Sequence, residues 1–309
     1  MTQIGEAVAF AGINKSISKC PFQEPEPPEN PAPEDEDFAW DDSLTMAKAQ
    51  ANSGSKLGTN LENGSPGTEG TWNVLGADPP RNQDEQVDTA RSQSAVKVKV
   101  RGRNYPFTVA AHHLIPGEAS LYKSQLFSSY MKQGGKMEVD TPKRMTFTVS
   151  RNIGYNVNGS HNGVWLPGSY AIREGIHSSG FTWSELIAHP NYQDWCYEYM
   201  ATASKKTGGQ FHDAHTNYND SALKVLEKLT VKLVKHQMIC DECQSKKKLP
   251  PPYQIKLKLY RLSMYLRDRL TANPRYWKAP WMTSDQVATQ IIANPLRKRA
   301  FVAVYRAAG

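Results

Sequence analysis

From Ala95 onward the chain alternates. Val96, Val98 and Val100 fall on one side and Lys97, Lys99 and Arg101 on the other, the period-two pattern of a strand with one buried face. Arg103-Asn104 is the expected turn, and the run from Tyr105 to Ala110 returns as a second strand. Gly117 to Lys132 has helical spacing, with Leu121, Leu126 and Tyr130 on its apolar side. Met145 to Val149 predicts another strand, and Val164-Trp165-Leu166 a short buried one stopped by Pro167-Gly168. Trp183 to Ser204 reads as helical. After the Gly208-Gly209 break comes a long amphipathic helix from about Asp213 to Ile239, with Leu223, Leu226, Leu229 and Leu233 three or four apart. Ile255 to Leu270 and Ser284 to Ala293 predict further helices, the latter opened by a serine cap. Phe301 to Tyr305, rich in aromatic and β-branched residues, predicts a closing strand.

The first third has no such periodicity. Glu24 to Asp42 is proline-rich and acidic, and residues 43–95 are dominated by Gly, Asn, Ser, Thr and Gln. That composition buries too little apolar surface to offset ordering entropy, so residues 23–95 read as a linker or loosely attached arm, with Trp40 and Trp72 as candidate anchors, and residues 1–95 together as an acidic N-terminal arm for delivery or docking. Residues 96–309 are expected to form the folded domain. With 309 residues the chain is long enough for a sizeable core. It has no apolar run of membrane-spanning length and no secretory signal pattern at its start.

Charge sharpens this division. Residues 1–95 hold 6 Lys+Arg against 16 Asp+Glu, and the remainder 31 against 14, so an acidic arm precedes a basic body within a net charge of +7. A basic body suits a polyanion, whose condensed counterions are released on binding. Arg101, Arg103, Lys246, Lys247, Lys248, Arg297, Lys298 and Arg299 are candidate phosphate contacts. Four cysteines are too few for a disulfide scaffold. Cys240 and Cys243 with His236 supply three candidate ligands for a structural zinc ion; the fourth is not evident, and Cys196 is the guess.

Histidines carry the chemistry. His112 and His113 are adjacent near the end of a strand-like run, and neighbouring side chains on a strand point to opposite sides. One can therefore face a metal while the other takes a proton from water. His212 and His215 lie three apart at a helix start, which lets them share an ion. An asparagine carbonyl can accept the N–H of a base histidine and fix its tautomer. No glycine-rich phosphate loop, serine elbow or paired-carboxylate site competes with this set. His161 reads as a loop residue packed nearby, His189 as a structural residue and the main rival to His215, and His177 as an exposed loop residue.

Three elements occur in a fixed order: Ala111-His112-His113, Asn162-Gly163-Val164-Trp165-Leu166-Pro167, and His212-Asp213-Ala214-His215-Thr216-Asn217-Tyr218-Asn219. Together they resemble the AHH branch of the HNH (His-Me finger) nucleases, found as toxin domains of bacterial polymorphic and type VI secreted effectors. The resemblance covers roughly residues 96–229. It implies an α+β fold with a ββα-metal core embedded in a mostly helical domain, interrupted by a helical insertion at about 168–208. It also implies a metal-dependent, largely sequence-nonspecific DNA endonuclease: His112 as metal ligand, His113 as general base, Asn162 as its orienter, and His215 with His212 completing the metal site. Relatives often space the two helix histidines four apart, whereas here they are three apart.

Magnesium is the ion expected for activity, with zinc or nickel able to bind. The implied partners are DNA, an acidic cognate immunity protein, and a secretion-apparatus component or adaptor engaged through the arm, with no membrane partner. The implied location is the producer's cytoplasm, followed by delivery into a target cell without a signal peptide. Two alternatives stand beside this reading: a ribonuclease of the same superfamily, and a non-catalytic, zinc-stabilised module that binds nucleic acid or a protein partner.

Overall fold

The computed structural model describes residues 20–22, 53–63, 97–139, 145–169, 172, 180–240, 243, 245–252 and 254–308. Trp40, Trp72 and His177, and the arm apart from 20–22 and 53–63, lie outside these residues. In chain order the elements are α1 (Gly54–Asn63), β1 (Lys97–Val100), β2 (Arg103–Pro106), β3 (Thr108–His113), β4 (Lys136–Val139), β5 (Met145–Val149), β6 (Gly163–Gly168), α2 (Trp183–Ala188), α3 (Gln193–Thr207), α4 (Thr216–Ile239), β7 (Lys248–Leu249), α5 (Gln254–Leu270) and α6 (Pro295–Ala307). Helices and short sheets thus make a mixed, α+β fold. Among the described residues no helix is long and apolar enough to cross a membrane.

Two compact units are interleaved in sequence: residues 1–52, 115–162 and 219–265 in one, and 53–114, 163–218 and 266–309 in the other.

The first unit holds a three-stranded sheet in which β5 pairs antiparallel with β4 and parallel with β7. The expected helix at 117–132 forms as two short, wide π-helical turns, Gly117–Leu121 and Phe127–Met131. Its buried side chains include Phe22, Leu126, Tyr130 and Tyr155, with Leu226, Leu229 and Leu233 from α4. Residues 20–22 of the arm belong to it: Pro21 and Phe22 are buried, and the Phe22 ring lies 6.0 Å from that of Tyr130.

The second unit contains the β1–β2 hairpin and the antiparallel pair β3–β6. Val98 and Val100 face inward and Lys97 and Lys99 outward, as their alternation predicts. The hairpin turn sits at Arg101-Gly102 rather than 103–104, because both residues take positive φ (49° and 81°) and glycine supplies that conformation without cost. One apolar cluster unites Val98, Phe107, Trp165, Trp195, Tyr199, Phe211 and Phe301 with Leu57 and Leu61 from α1. Residues 53–63 are therefore a packed helix and not free arm. Leu57 and Leu61 are buried four apart, and Ser53 Oγ accepts the Lys56 N–H at 3.2 Å. Gly163 permits this packing, since a Cβ there would stand 2.7 Å from Leu57 Cδ1.

Phe301 to Tyr305 is helical, not a strand. Pro295 occupies the first turn of α6, and Asn294 Oδ1 accepts the N–H groups of Leu296 and Arg297 at 3.0 and 3.2 Å. This capped start overrides the strand preference of the residues that follow. The 168–208 stretch contains α2 and α3, separated at His189-Pro190.

Candidate metal centre

The β3–β6 ladder sets the histidine pair. His112 stands opposite Val164 and His113 opposite Gly163. Thr108, Val109 and Ala110, earlier on β3, are buried and carry the strand inward, so both histidines end up nearly enclosed, at 4% and 7% exposure. The chain reaches them again after α3. The His212 N–H donates to the Pro167 carbonyl at 2.7 Å, beside a bridge between Gly168 and His212. Buried Gln210 fixes the approach: its Oε1 accepts the Thr283 N–H at 3.1 Å and its Nε2 donates to the Trp281 carbonyl at 3.1 Å. The Asp213 N–H reaches the Thr283 carbonyl at 2.8 Å.

The start of α4 is capped from outside its own segment. Asp285 Oδ2 accepts the Thr216 N–H at 2.9 Å, Oδ1 accepts from Asn217 Nδ2 at 3.0 Å, and the Asp285 N–H donates to the Ala214 carbonyl at 2.7 Å. A carboxylate here satisfies otherwise unpaired N–H groups and complements the helix dipole. His215 is thereby held one residue before the first turn.

These anchors bring three of the expected residues together. The Nε2 atoms of His212 and His215 are 3.2 Å apart. The His112 ring lies 5.0 Å from each of their rings, and one nitrogen from each of the three falls within 4.8 Å of the others. Two imidazoles on one tetrahedral ion at ordinary metal–nitrogen lengths stand about 3.4 Å apart, so the spacing fits a single cation.

Burial lowers the His112 pKa well below 6.5, and repulsion from His212, His215 and His113 lowers it further. The neutral form so favoured is the one that ligates metal. His112 Nε2 is buried without a hydrogen-bond partner, a state costing about 1–3 kcal/mol that a bound cation offsets. Because all three donors are imidazole nitrogens, the set suits zinc, nickel or another borderline ion better than a hard one.

Tyr218 completes the wall. Its ring packs against His112 (5.3 Å), His215 (5.8 Å) and Trp281 (5.7 Å), and its hydroxyl donates to the Leu114 carbonyl at 2.6 Å. Sequence reading gave this tyrosine no task, although it stands three residues after His215 and hence on the same helix face.

Asn162 is fully buried. Its Oδ1 accepts the Ile115 N–H at 2.8 Å and the Ser263 hydroxyl at 3.0 Å; its Nδ2 donates to the carbonyls of Ile115 at 3.0 Å and Val157 at 2.8 Å. Four bonds exhaust a carboxamide. The oxygen expected to receive the His113 N–H is thus engaged by Ile115 and Ser263, and Asn162 acts on the backbone two residues beyond the histidine pair.

The other candidates fall elsewhere. His189 caps a short turn by accepting the Asn191 N–H at 3.2 Å, with its ring near Phe181 and Tyr192. His161 stacks on Tyr260 at 4.6 Å. Cys196 lies in the apolar cluster of the second unit, where burial pushes its thiol up to about 12. It is not the cysteine grouped with His236 and Cys240; Cys20, which spacing could not suggest, takes that place, with its Sγ 3.3 Å from Cys243 Sγ.

Of the expected phosphate contacts, Lys298 Nζ donates to the Trp277 carbonyl at 2.7 Å, Arg297 to the Gln290 carbonyl at 3.2 Å, and Arg101 lies 3.8 Å from Glu198. A stronger concentration of positive charge was missed. Burial and the neighbouring Lys232 and Arg261 pull Lys258 down to about 8, while burial and Lys228 lower Lys232. The signal was present as lysines four apart at 228 and 232 and clustered cations at 256, 258 and 261.

No family model matches this chain, and no curated protein or solved structure matches it.

Proposed function

We propose that the protein is a metal-dependent endonuclease acting on DNA, in the manner of the AHH branch of the HNH nucleases. The observation that carries the reading is the convergence of His112, His212 and His215, from a strand and from the start of a helix, on a volume fit for one cation. Their neighbour His113 alternates to the other side of the strand. The antiparallel pair β3–β6 followed by α4 supports the reading of a ββα-metal core, in which α2 and α3 would be the insertion.

A divalent ion held by the three imidazoles would take up charge on a phosphate oxygen and on the leaving group. His113 acts as general base, removing a proton from the attacking water. Asn162 is a positioning residue that acts through the backbone of Ile115. Tyr218 holds the rings of His112 and His215 and excludes water from one side.

The nitrogen-only donor set favours tight binding of zinc or nickel. Magnesium, with its preference for oxygen and retained waters, would bind such a set more weakly. The mutually repelling cations Lys228, Lys232, Lys258 and Arg261 support a polyanionic substrate held through its backbone. Action as a delivered toxin, docking of the arm to a secretion component or adaptor, and neutralisation by an acidic immunity protein follow from the same resemblance.

The test is cleavage of plasmid by the full chain with magnesium, manganese, nickel or zinc, with and without EDTA, beside His113→Ala. Metal-dependent cleavage lost in His113→Ala is expected. Cleavage untouched by that substitution rejects His113 as the base. Digestion of RNA alone makes the protein a ribonuclease, and no cleavage with any metal makes it a binding module.

A further inference from the structure

We propose that Cys20, His236, Cys240 and Cys243 form a second, structural metal site that takes zinc, using none of the residues of the histidine centre. Ligand atoms of Cys20, His236 and Cys240 lie within 4.8 Å of one another, and Cys243 Sγ is 3.3 Å from Cys20 Sγ. Two thiolates on one tetrahedral zinc stand about 3.8 Å apart, given Zn–S bonds of about 2.3 Å. The sulfurs are already near that spacing and well beyond covalent contact.

The residues converge from distant positions. His236 is in the last turn of α4, and Cys240 and Cys243 follow four and seven residues later in the chain. Cys20 arrives from 223 positions before Cys243. Its approach is fixed: Phe22 is buried beside Tyr130, and the Tyr130 hydroxyl donates to Oε1 of Gln237, next to His236, at 2.6 Å.

His236 supplies an independent pointer to a ligand, because its Nε2 is buried without a hydrogen-bond partner. Three sulfurs and one imidazole are a soft donor set that selects zinc over magnesium or calcium. Four protein donors close a tetrahedral sphere and leave no open position for substrate, so the site is structural and not catalytic. On binding, the three thiols release three protons to solvent and the imidazole stays neutral.

The consequence concerns the arm. Zinc here ties residue 20 of the arm to the end of α4. Metal-binding free energy then becomes folding free energy for the unit that contains Cys20.

The test uses the full chain carrying His215→Ala, which removes a ligand of the histidine centre, purified under reducing conditions without chelator. Elemental analysis is expected to find about one zinc per chain, as a single closed site requires. Zinc affinity, read by chelator competition, should fall by about tenfold or more in Cys20→Ser and in His236→Ala, at least the loss that follows removal of a group merely supporting a ligand, and zinc content after dialysis against that chelator should fall with it. It should be unchanged in Cys196→Ser.

Should Cys20→Ser fail to accumulate as folded protein, cobalt substitution in the chain with all four cysteines gives the answer. Thiolate-to-cobalt charge transfer together with intense tetrahedral d–d bands is the expected spectrum. Zinc content that is unaffected by Cys20→Ser, a cobalt spectrum without sulfur charge transfer, or a non-reduced mass two hydrogens lighter through a Cys20–Cys243 disulfide would each overturn the site.

Discussion

Acid destabilises the metal-free protein through His112, and the size of the effect can be worked out. In the unfolded chain this imidazole has its ordinary pKa of 6.5; in the fold, burial first and then repulsion from His212, His215 and His113 push it well below that value. A group with a depressed folded pKa leaves the unfolded state holding more protons, so stability falls as pH falls below 6.5. Above that pH neither state is protonated and the contribution is intact. Between about pH 7.5 and about pH 5.5, with the folded ring kept neutral, protonation of the unfolded ring alone costs ~1.4 kcal/mol.

The measurement is urea denaturation in EDTA at both pH values, for wild type and for His112→Gln, whose carboxamide does not titrate. Tryptophan emission is a suitable probe, because Trp165, Trp183, Trp195, Trp277 and Trp281 belong to the same unit as His112. The midpoint and slope are compared together, so that a change in the denatured state is not mistaken for a change in stability. Wild type should lose ~1.4 kcal/mol more than His112→Gln on acidification. Equal losses in the two proteins, or a larger loss in the variant, would refute the argument that burial keeps this ring neutral.

Three further outcomes are expected. Tyr218→Phe keeps the ring against His112 and His215 but leaves the Leu114 carbonyl without its 2.6 Å donor; a stability loss of about 1–3 kcal/mol should appear in thermal or urea unfolding. Asn162→Ala strips both backbone groups of Ile115 of their partner, so it should lose about 3 kcal/mol or more together with cleavage, read by unfolding and plasmid nicking in parallel. Replacing Lys232 and Lys258 together by Gln should flatten the salt dependence of DNA affinity by about two phosphate contacts, measured by fluorescence anisotropy across salt concentrations, while relieving the repulsion between them.

What the sequence made legible were the features with short-range causes. Alternation at Val98 and Val100 marks β1, and the spacing of Leu226, Leu229 and Leu233 marks α4, because burial of one face imposes a period. The errors also have local explanations. Phe301-Val302-Ala303-Val304-Tyr305 has the residues of a strand, yet the Asn294-Pro295 start decides for a helix. Residues 54–63 read as linker by composition, although Leu57 and Leu61 are one helical turn apart and Ser53 stands ready as a cap.

The two candidate metal clusters differ in a more instructive way. His112, His212 and His215 could be named beforehand because each sits near a recognisable boundary: His112 at a strand end, and His212 and His215 between the Gly208-Gly209 break and a helix start. Boundaries are where a backbone can aim several side chains at one point, and they leave signatures such as glycine breaks and capping residues. Cys20 has no such signature. It reaches His236 only because Phe22 buries itself beside Tyr130, and no period or cap in residues 1–22 encodes that long-range contact. Asn162 is the intermediate case: its residue type could be singled out, but whether its amide meets a ring or a backbone depends on how Ile115 turns after the strand. A donor set can therefore be guessed where the chain changes element, whereas a ligand contributed by a distant, pattern-free segment emerges only from packing.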